Sequence, residues 1–309
     1  MNSNILVAIS LLLSAVSAEA QTIGVSMSKL DKYKSALLDA INASAKATPG
    51  VTVTIENADG SNDRQLEQLK KFADTKVSAI IVAPADGDLG PQMTKIAADG
   101  GIPLIYVNNE PANLAELPAD QAVVASNEKE SGTLQAAEVC RIMKGKGRVV
   151  VLMGELFHAA ARARTQDVDT VFARPECKDM KIVERQAAYW SRDYADQQVT
   201  EWLTAGVKFD AVIANNDEMA LGAIRALKRK GVSMKDVIVA GVDATDDALA
   251  AMTSGDLDVT ILQSAQGQGK TAIETALKLI GKETVQRENY VPFELVTPQN
   301  VTQYLPKSQ

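Results

Sequence analysis

Residues 211–227, with the sequence AVIANNDEMALGAIRAL, place three polar side chains between two apolar segments. The segment AVIA has the continuous hydrophobicity of a strand that is covered on both faces. From Met219 onward the apolar residues recur at three- and four-residue spacing, which is typical of an amphipathic helix. Asn215, Asn216 and Asp217 therefore lie at a strand-to-helix junction. A helix cap needs only one such residue, so the other two require another explanation.

The same alternation of strand-like and helix-like patterns runs from Thr22 to the C-terminus, with about ten strand-like segments. This alternation predicts an α/β fold with doubly wound parallel sheets. Because ten strands are many for one open twisted sheet and the two halves of the chain share one pattern, we predict two lobes. A crossing between the lobes is expected near Ala125–Asn127. The tail YVPFELVTPQNVTQYL is predicted to form one edge strand, with Pro292 and Pro298 near its ends.

Polar and aromatic residues follow the predicted strands in both halves of the chain. They are Ser26, Ser28, Asp86, Asn108, Asn109, Glu110, Ser126, Asn127, Glu155, Tyr189, Trp190, Asn215, Asn216, Asp217, Asp243 and Gln263. Ligands of open α/β sheets bind outside the carboxyl ends of the strands, so these side chains are candidates for one binding site. Helix capping is the simpler account of Asp86, Ser126 and Asp217. It does not apply to Trp190, for which the alternative is a place in the core.

Amide, carboxylate and aromatic side chains together suit a small polyhydroxylated ligand. Amides donate and accept hydrogen bonds, as sugar hydroxyls do, and an ionised carboxylate accepts two hydroxyl protons. An aromatic face packs against the apolar C–H face of a ring. These residue types therefore predict a site for a sugar-like molecule.

The charge balance and the first residues narrow the class of protein. The 309 residues contain 32 lysines and arginines against 39 acidic residues, so the net charge of −7 argues against nucleic acid or an anionic membrane as partner. Residues 1–20 combine an apolar run with the small-x-small pattern Ala18–Ala20, which predicts a signal peptide and a mature chain that begins near Gln21. Cys140 and Cys177 are the two cysteines, and the sequence leaves open whether they form a disulfide.

Motifs for cofactors and catalysis are weak. The segment SAQGQGKTAIE resembles the end of a phosphate-binding loop, but Ser264 stands where that loop requires glycine. His158 is the only histidine, and neither a Cys-x-x-Cys pair nor a G-x-S-x-G motif accompanies it, which argues against a zinc site or a serine nucleophile. We therefore predict a protein that has no cofactor and no metal and is not an enzyme.

The segments NNDEMALGAIRAL, VAGVDAT and GDLDVTILQS resemble the periplasmic sugar-binding proteins of the ribose-binding type. The resemblance implies a type I periplasmic binding protein fold, with three hinge crossings and a ligand held between two closing lobes. The implied N-terminal lobe comprises residues 21–125 plus 264–290, and the implied C-terminal lobe comprises residues 126–263 plus 291–309. Such proteins act in the periplasm and deliver ligand to the membrane permease of an ABC importer, and some also to a chemoreceptor. A monomer is expected because one closing chain contains a whole pocket.

The resemblance also implies a set of ligand-binding residues. They are Asp31, Lys32, Tyr33, Asn108, Asn109, Arg162, Trp190, Asn216, Asp243 and Gln263. Asp243 matches the carboxylate that binds hydroxyls, Asn216 the pocket asparagine and Gln263 the hinge glutamine. Arg162 matches the pocket arginine, and Trp190 matches the aromatic residue against the sugar face. The first three residues of the set lie in a loop that usually carries asparagine and paired aromatics.

One departure from the ribose-type pattern bears on the ligand. Those proteins have Asp-Arg where this chain has Asn108 and Asn109, and the change removes a charged acceptor and a bidentate donor, so ribose is disfavoured. The segments MSKLDKY and VPFELVTP resemble the branch that binds inositols and amino-inositols of the rhizopine kind. Three alternatives stay open: a pentose such as ribose, an autoinducer-type sugar, and an exported glycoside hydrolase that uses Asp243 with Asp31 or Glu110.

Overall fold

Two parallel sheets organise residues 20–305, the part of the chain that the computed structural model describes. The strands are β1 (Gln21–Met27), β2 (Val51–Asn57), β3 (Ala79–Ala83), β4 (Leu104–Val107), β5 (Gln121–Ala125), β6 (Lys146–Met153), β7 (Asp179–Ala187), β8 (Ala211–Ala214), β9 (Ile238–Ala240), β10 (Thr260–Leu262), β11 (Glu288–Tyr290) and β12 (Glu294–Val296). The α-helices are α1 (Lys32–Lys46), α2 (Asn62–Asp74), α3 (Gly90–Gly100), α4 (Glu128–Ile142), α5 (Ala159–Phe172), α6 (Arg192–Thr204), α7 (Asp217–Arg229), α8 (Asp246–Thr253) and α9 (Ala265–Ile280). None of these helices is long and apolar enough to cross a membrane. The predicted signal peptide lies outside the described residues, except for Ala20.

The sheets divide the chain into two units. The first sheet has the order β11-β5-β4-β3-β1-β2 and the second has the order β7-β6-β8-β9, with parallel pairing throughout. β10 pairs with β12 in an antiparallel ribbon, and single parallel bridges connect Ala240 with Val259 and Asp243 with Leu262. The chain thus passes between the units after β5, after β10 and after β11. These crossings support the predicted lobe boundaries, which stay a prediction.

Helices cover both faces of each sheet, which explains the continuously apolar strands. In β3, Ile81 packs into the core on one face of the first sheet, while Ile80 and Val82 pack into the core on the other. In β6, Val150 and Val151 are likewise divided between the two cores of the second sheet. Each fully buried side chain of this kind contributes about 1.5–3 kcal/mol to the free energy of unfolding. The stacked layers hold the carboxyl ends of the strands in fixed positions.

The C-terminal tail forms the predicted strand. β12 lies between Pro292 and Pro298 and pairs with β10. Proline has no N–H to donate to a ladder, which suits positions at the ends of a strand. The sequence did not predict β11, which ends at the first residue of the tail, Tyr290, and pairs with β5 at the edge of the first sheet. Pro292 lies between the two strands, where the chain leaves one unit for the other.

Helix capping was predicted for three junction residues, and the structure shows it for one of them. Asp86 accepts a hydrogen bond from the backbone N–H of Asp88, as predicted for a cap. The prediction is wrong for Ser126, whose hydroxyl oxygen accepts from Gln268 Nε2 at 3.1 Å, because the neighbouring Asn127 caps α4 instead. It is also wrong for Asp217, since Asn216 caps α7.

Cys140 and Cys177 form a disulfide, with their Cα atoms 5.9 Å apart. The bridge connects the end of α4 with the turn that precedes β7, and both sulfurs lie in the apolar core beneath the second sheet. It closes a loop with a sequence separation of 37 residues. A loop of this length corresponds to about 4 kcal/mol of stabilisation in the chain-entropy account. The structure thus shows the disulfide bond that the sequence left open.

Candidate functional site

A cleft at the facing edges of the two units collects most of the predicted site residues. Its cavity volume is about 50 Å³. Its lining comprises Asp31, Lys32, Tyr33, Lys34, Asn108, Asn109, Glu128, His158, Ala160, Arg164, Trp190, Asn216, Glu218, Asp243 and Gln263. Nine of the ten predicted residues are in this set, and Arg162 is not. The structure therefore brings the nine together, and their role in binding stays a prediction.

The wall from the first unit is built by the loop after β1 and the turn after β4. Asp31 caps α1 by accepting from the backbone N–H of Lys34 at 2.7 Å. The cap positions Tyr33, a buried residue whose hydroxyl has no hydrogen-bond partner among residues 20–305. Burial raises the pKa of Tyr33 well above its ordinary value, and the charge of Asp243 across the cleft raises it further. Asn108 has a left-handed φ of 67°, a conformation that asparagine tolerates better than most residues.

Asp243 is the central carboxylate of the opposite wall. It follows β9, is 7% exposed and has a φ of 120°, held by the bridge to Leu262. Within the described residues its carboxylate forms no hydrogen bond, whereas the backbone around it is fully paired. Burial raises the pKa of Asp243 well above its ordinary value, and the Arg164 guanidinium opposes that rise. A buried acceptor of this strength is costly unless a ligand donates to it.

Trp190 has a position that several neighbours determine. Tyr189 and Trp190 both have left-handed backbone conformations, with φ of 55° and 61°. The indole packs over Gly154, where a Cβ atom would lie 2.1 Å from the ring. His158 meets the indole edge-on, with ring centroids 5.3 Å apart. Gly154 leaves room for the indole, and the left-handed backbone at Tyr189 and Trp190 turns it, so that the indole lines the cleft.

Arg164 is the arginine of the cleft. Its guanidinium is buried and donates to both carboxylate oxygens of Glu128, at 2.9 and 3.0 Å. A third donor, Nη1, reaches the backbone carbonyl of Asn215 at 2.7 Å. Nη2 also lies 3.5 Å from Oε1 of Gln263. These contacts fix a cation between the start of α4 and the end of β8.

The prediction of Arg162 as the pocket arginine is not supported by its position. Its guanidinium is exposed and donates to the backbone carbonyls of Leu156 and Phe157. In α5 the buried face repeats at Ala161, Arg164 and Val168, spacings of three and four residues, so position 162 points away from the cleft. The spacing to Val168 was the signal in the sequence that distinguishes the two arginines.

Sequence reasoning missed five further residues that line the cleft. They are Lys34, Glu128, His158, Ala160 and Glu218. Two of them are acidic residues in the first turns of α4 and α7, a pattern that by itself indicates only a favourable interaction with a helix N-terminus. Burial and the nearby cations lower the pKa of His158 to about 3, so its imidazole is neutral at ordinary pH. Gly154 was also missed, because its effect is exerted through Trp190.

Two of the three residues that open the sequence analysis serve the cleft and its supports. Asn216 Oδ1 accepts from the backbone N–H of Met219 at 3.0 Å, and this cap holds the residue at the cleft surface. Asn215 Oδ1 accepts from the Gly154 backbone N–H at 3.0 Å and from the Thr165 hydroxyl at 3.2 Å. Asn215 therefore ties α5, which carries Arg164, to the residue after β6, Gly154, against which Trp190 packs.

The hydrogen-bond partners of the Asp217 carboxylate belong to the protein itself. It is fully buried and accepts hydrogen bonds from the Thr245 backbone N–H at 2.8 Å and from the Thr260 hydroxyl at 2.7 Å. The Thr245 hydroxyl adds a longer contact at 3.3 Å. Burial raises the pKa of Asp217 to about 7, although these donors lower it. The carboxylate thus fastens the loop after β9, which carries Asp243, to the start of β10.

Comparison with known proteins assigns the family. Two layered α/β units with a polar cleft at their facing strand ends define the class of solute-binding proteins. Residues 23–284 match the family described as periplasmic binding protein domain, and the chain belongs to this family. The predicted two-lobe fold and the resemblance to periplasmic sugar-binding proteins are thereby confirmed.

Individual relatives cover nearly the whole chain. A candidate rhizopine-binding protein of Rhizobium meliloti is 50% identical over 297 residues, which is 96% of each chain. A xylitol-binding protein of Mycolicibacterium smegmatis is 29% identical over 290 residues, covering 93% of this chain and 80% of its own. The solved structure of an ABC transporter solute-binding protein from Bacillus halodurans with bound myo-inositol superposes with a TM-score of 0.86 at 36% identity. That superposition covers 94% of this chain and 98% of the other.

Proposed function

We propose that this protein binds a cyclitol, an inositol or an amino-inositol, in the cleft between its two lobes. The observation that carries the proposal is the buried residue Asp243, whose carboxylate accepts no hydrogen bond from residues 20–305 and which lines the same cleft as the unpaired hydroxyl of Tyr33. Polar groups of this kind destabilise a buried site unless they are paired. Adjacent hydroxyls on a ligand ring supply donors for the carboxylate and an acceptor for the phenol.

The other lining residues suit the same ligand. The indole of Trp190 offers an apolar face to ring C–H groups, and Arg164 retains one Nη1 N–H for a ring hydroxyl. A ligand amine would be attracted by Asp243 and by the indole face. The 50% identity with the candidate rhizopine-binding protein and the 36% identity with the myo-inositol-bound structure support a cyclitol rather than a pentose.

Binding is proposed to proceed by lobe closure. Tyr33 and Asn108 belong to the first unit, whereas Asp243 and Trp190 belong to the second. Only a closed arrangement brings both walls to one ligand, so the ligand stabilises that arrangement by its differential affinity. The three crossings after β5, β10 and β11 are the segments at which such a rotation would occur.

The cellular role follows from the family. We propose that the protein acts in the periplasm as a monomer, that it delivers its ligand to the permease of an ABC importer, and that a chemoreceptor is a second partner. The two sequence relatives above and the transporter component with bound myo-inositol support this assignment. A hydrolase would need a second acid opposite Asp243. Asp31 is engaged by Lys34, and Glu110 accepts from the Tyr290 hydroxyl outside this cleft.

Isothermal titration of the mature chain tests the proposal. The panel comprises myo-inositol, scyllo-inosamine, ribose, xylose, galactose and an autoinducer-type furanosyl diol. We expect at least one cyclitol to bind with micromolar or tighter affinity, about −8 kcal/mol, and at least tenfold more tightly than any pentose. Tighter binding of ribose, or no binding of any cyclitol to folded protein, would contradict the proposal. Release of product from a disaccharide would favour the hydrolase instead.

A further inference from the structure

A second cavity adjoins the proposed ligand site. It has a volume of about 690 Å³ and shares part of its wall with the cleft, including Asn108, Asn109, Glu128 and His158. Its other walls come from the turns after β3 and β4, the start of α4, the first turns of α5 and the end of β11. The cavity is thus a side chamber on the β5–β11 flank of the cleft, and the shared residues form its border with the cleft.

The opposite flank of the cleft is bridged. Lys32 Nζ lies 4.0 Å from Asp247 Oδ2 across the two units, and the same carboxylate oxygen accepts from Arg192 Nη2 at 2.9 Å. Arg192 also pairs with Glu218 at 2.7 Å. A substituent on a ring bound in the cleft therefore meets side chains on this flank. On the chamber flank it meets open space.

The chamber has a distinct charge. Five carboxylates line it, Asp86, Asp88, Glu110, Glu128 and Glu288, and Glu128 is paired with Arg164 of the cleft. The two cations of its lining are Lys129 and Arg162, and Arg162 already donates to backbone carbonyls of the loop before α5. This excess of negative charge attracts a cationic group, admits a neutral hydroxyl-bearing one and repels an anionic one.

Aromatic side chains stand at the rim of the chamber. Phe157 is 63% exposed and Tyr290 is 39% exposed, and both line the cavity. The Tyr290 hydroxyl donates to Glu110 at 2.7 Å, which fixes the orientation of its ring. Exposed aromatic faces next to acceptors are the surroundings that a polyhydroxylated or aminated group uses when it binds.

We infer that the chamber is a specificity subsite that accepts a neutral or cationic substituent on the bound ring and excludes an anionic one. The inference rests on the proposed function, because it takes the cleft to be the site of the ring itself. The protein would therefore take substituted cyclitols, with substituents up to the size of a short hydroxyalkyl or aminoalkyl chain, and would reject their carboxylated or phosphorylated counterparts.

The test uses myo-inositol and three series of its mono-ethers. The 2-hydroxyethyl, 2-aminoethyl and carboxymethyl ethers are prepared at each ring oxygen. Each series then includes the position at which the substituent of a bound ring enters the chamber. By titration calorimetry we expect one hydroxyethyl ether to bind within tenfold of myo-inositol. The aminoethyl ether at that position should bind at least as tightly, and the carboxymethyl ether at least tenfold more weakly.

A pair of variants locates the effect. Ala163 lines the chamber but not the cleft, and it lies within α5, where leucine retains helix propensity. Ala163→Leu should weaken the accepted ether at least tenfold and leave the affinity for myo-inositol within twofold, whereas the control Ala163→Ser should change neither by more than about threefold.

The outcomes separate this inference from the proposed function. If myo-inositol binds and every hydroxyethyl ether is more than tenfold weaker, the subsite does not exist. Equal affinity for the hydroxyethyl and carboxymethyl ethers would refute its charge selection. Loss of myo-inositol binding itself, in folded wild-type protein, would count against the proposed function instead.

Discussion

Asp217 and Asp243 are two buried aspartates at the same edge of the second sheet, and they differ in what pairs with them. Asp217 accepts hydrogen bonds from Thr245 and Thr260, whereas Asp243 accepts none from the described residues. Burial raises the pKa of both carboxyls. The comparison teaches that burial and charge do not by themselves mark a functional residue. A carboxylate whose partners belong to the fold stabilises the protein, and one whose partners are missing is available to a ligand.

Asp217→Ala should produce the largest change in stability. It removes the acceptor of two strong hydrogen bonds and one weaker one, and leaves their buried donors unpaired. We expect the free energy of unfolding to fall by about 3 kcal/mol. Urea denaturation monitored by circular dichroism measures the fall. A loss below about 0.5 kcal/mol would show that Asp217 does not fasten these loops.

Asp243→Asn should lower the affinity for the ligand without lowering the free energy of unfolding. The substitution keeps the shape of the side chain but removes the charged acceptor, and two hydrogen bonds to a charged group contribute about 1.5–3 kcal/mol each. We expect the affinity for the preferred cyclitol to fall about a hundredfold, or about 2.7 kcal/mol. The free energy of unfolding of the ligand-free protein should stay the same or rise, because a buried unpaired charge is removed. Wild-type affinity in the variant would invalidate the assignment of Asp243.

Gly154→Ala tests whether displacing the Trp190 indole weakens ligand binding while both aspartates stay unchanged. The added Cβ would lie 2.1 Å from the Trp190 ring, so the indole must move. We expect about a tenfold loss of cyclitol affinity, comparable with one aromatic contact at about 1.4 kcal/mol. Trp190 fluorescence should shift in the ligand-free variant. Unchanged fluorescence together with unchanged affinity would contradict the role of Gly154.

The pH dependence of stability distinguishes Asp217 from an ordinary carboxyl. Its folded-state pKa is raised to about 7, so the unfolded chain loses this proton first as the pH rises from its ordinary pKa of 3.8. The native state then binds more protons, and stability falls with rising pH between about 4 and about 7. Asp217→Asn should abolish this part of the slope, so the wild-type and variant curves should converge or cross in that window. Parallel curves would contradict the raised pKa.

Arg162→Ala should have the smallest effect on ring binding. The guanidinium holds backbone carbonyls of the loop before α5 and does not line the cleft. We expect the affinity for myo-inositol to change by less than about twofold, against a loss of at least about tenfold for Arg164→Ala. The two titrations together test which arginine belongs to the site. A larger loss for position 162 would restore the original prediction.

Much of the fold could be predicted because its strands are covered on both faces. Continuous apolar runs such as residues 79–83 are typical of parallel strands that are buried on both faces. The strand between Pro292 and Pro298 was also predicted, whereas the short β11 before it was not. The disulfide also depended on geometry, because a sequence separation says nothing about where two helix ends meet.

The candidate site could be predicted where the side chain lies at the end of a strand, as for Asn216 and Asp243. Lys32 and Tyr33 on α1 were also predicted, but on α5 the wrong arginine was chosen, because Arg162 and Arg164 are only two positions apart and lie on different faces of the helix. Trp190 was predicted, but its left-handed backbone and its contact with Gly154 depend on packing between elements that are far apart in sequence. Asp217 was predicted as a cap because its true partners, Thr245 and Thr260, become neighbours only in the folded chain.

The most direct test of the difference between the two aspartates is the increase in unfolding free energy that a cyclitol produces. Wild-type, Asp217→Ala and Asp243→Asn proteins are unfolded thermally with and without ligand, at a concentration of one hundred times the wild-type dissociation constant. We expect a gain of about 2.7 kcal/mol for wild-type and for Asp217→Ala, and of about 0.4 kcal/mol for Asp243→Asn. An equal gain in all three proteins would contradict the claim that Asp243 is the carboxylate that binds the ligand.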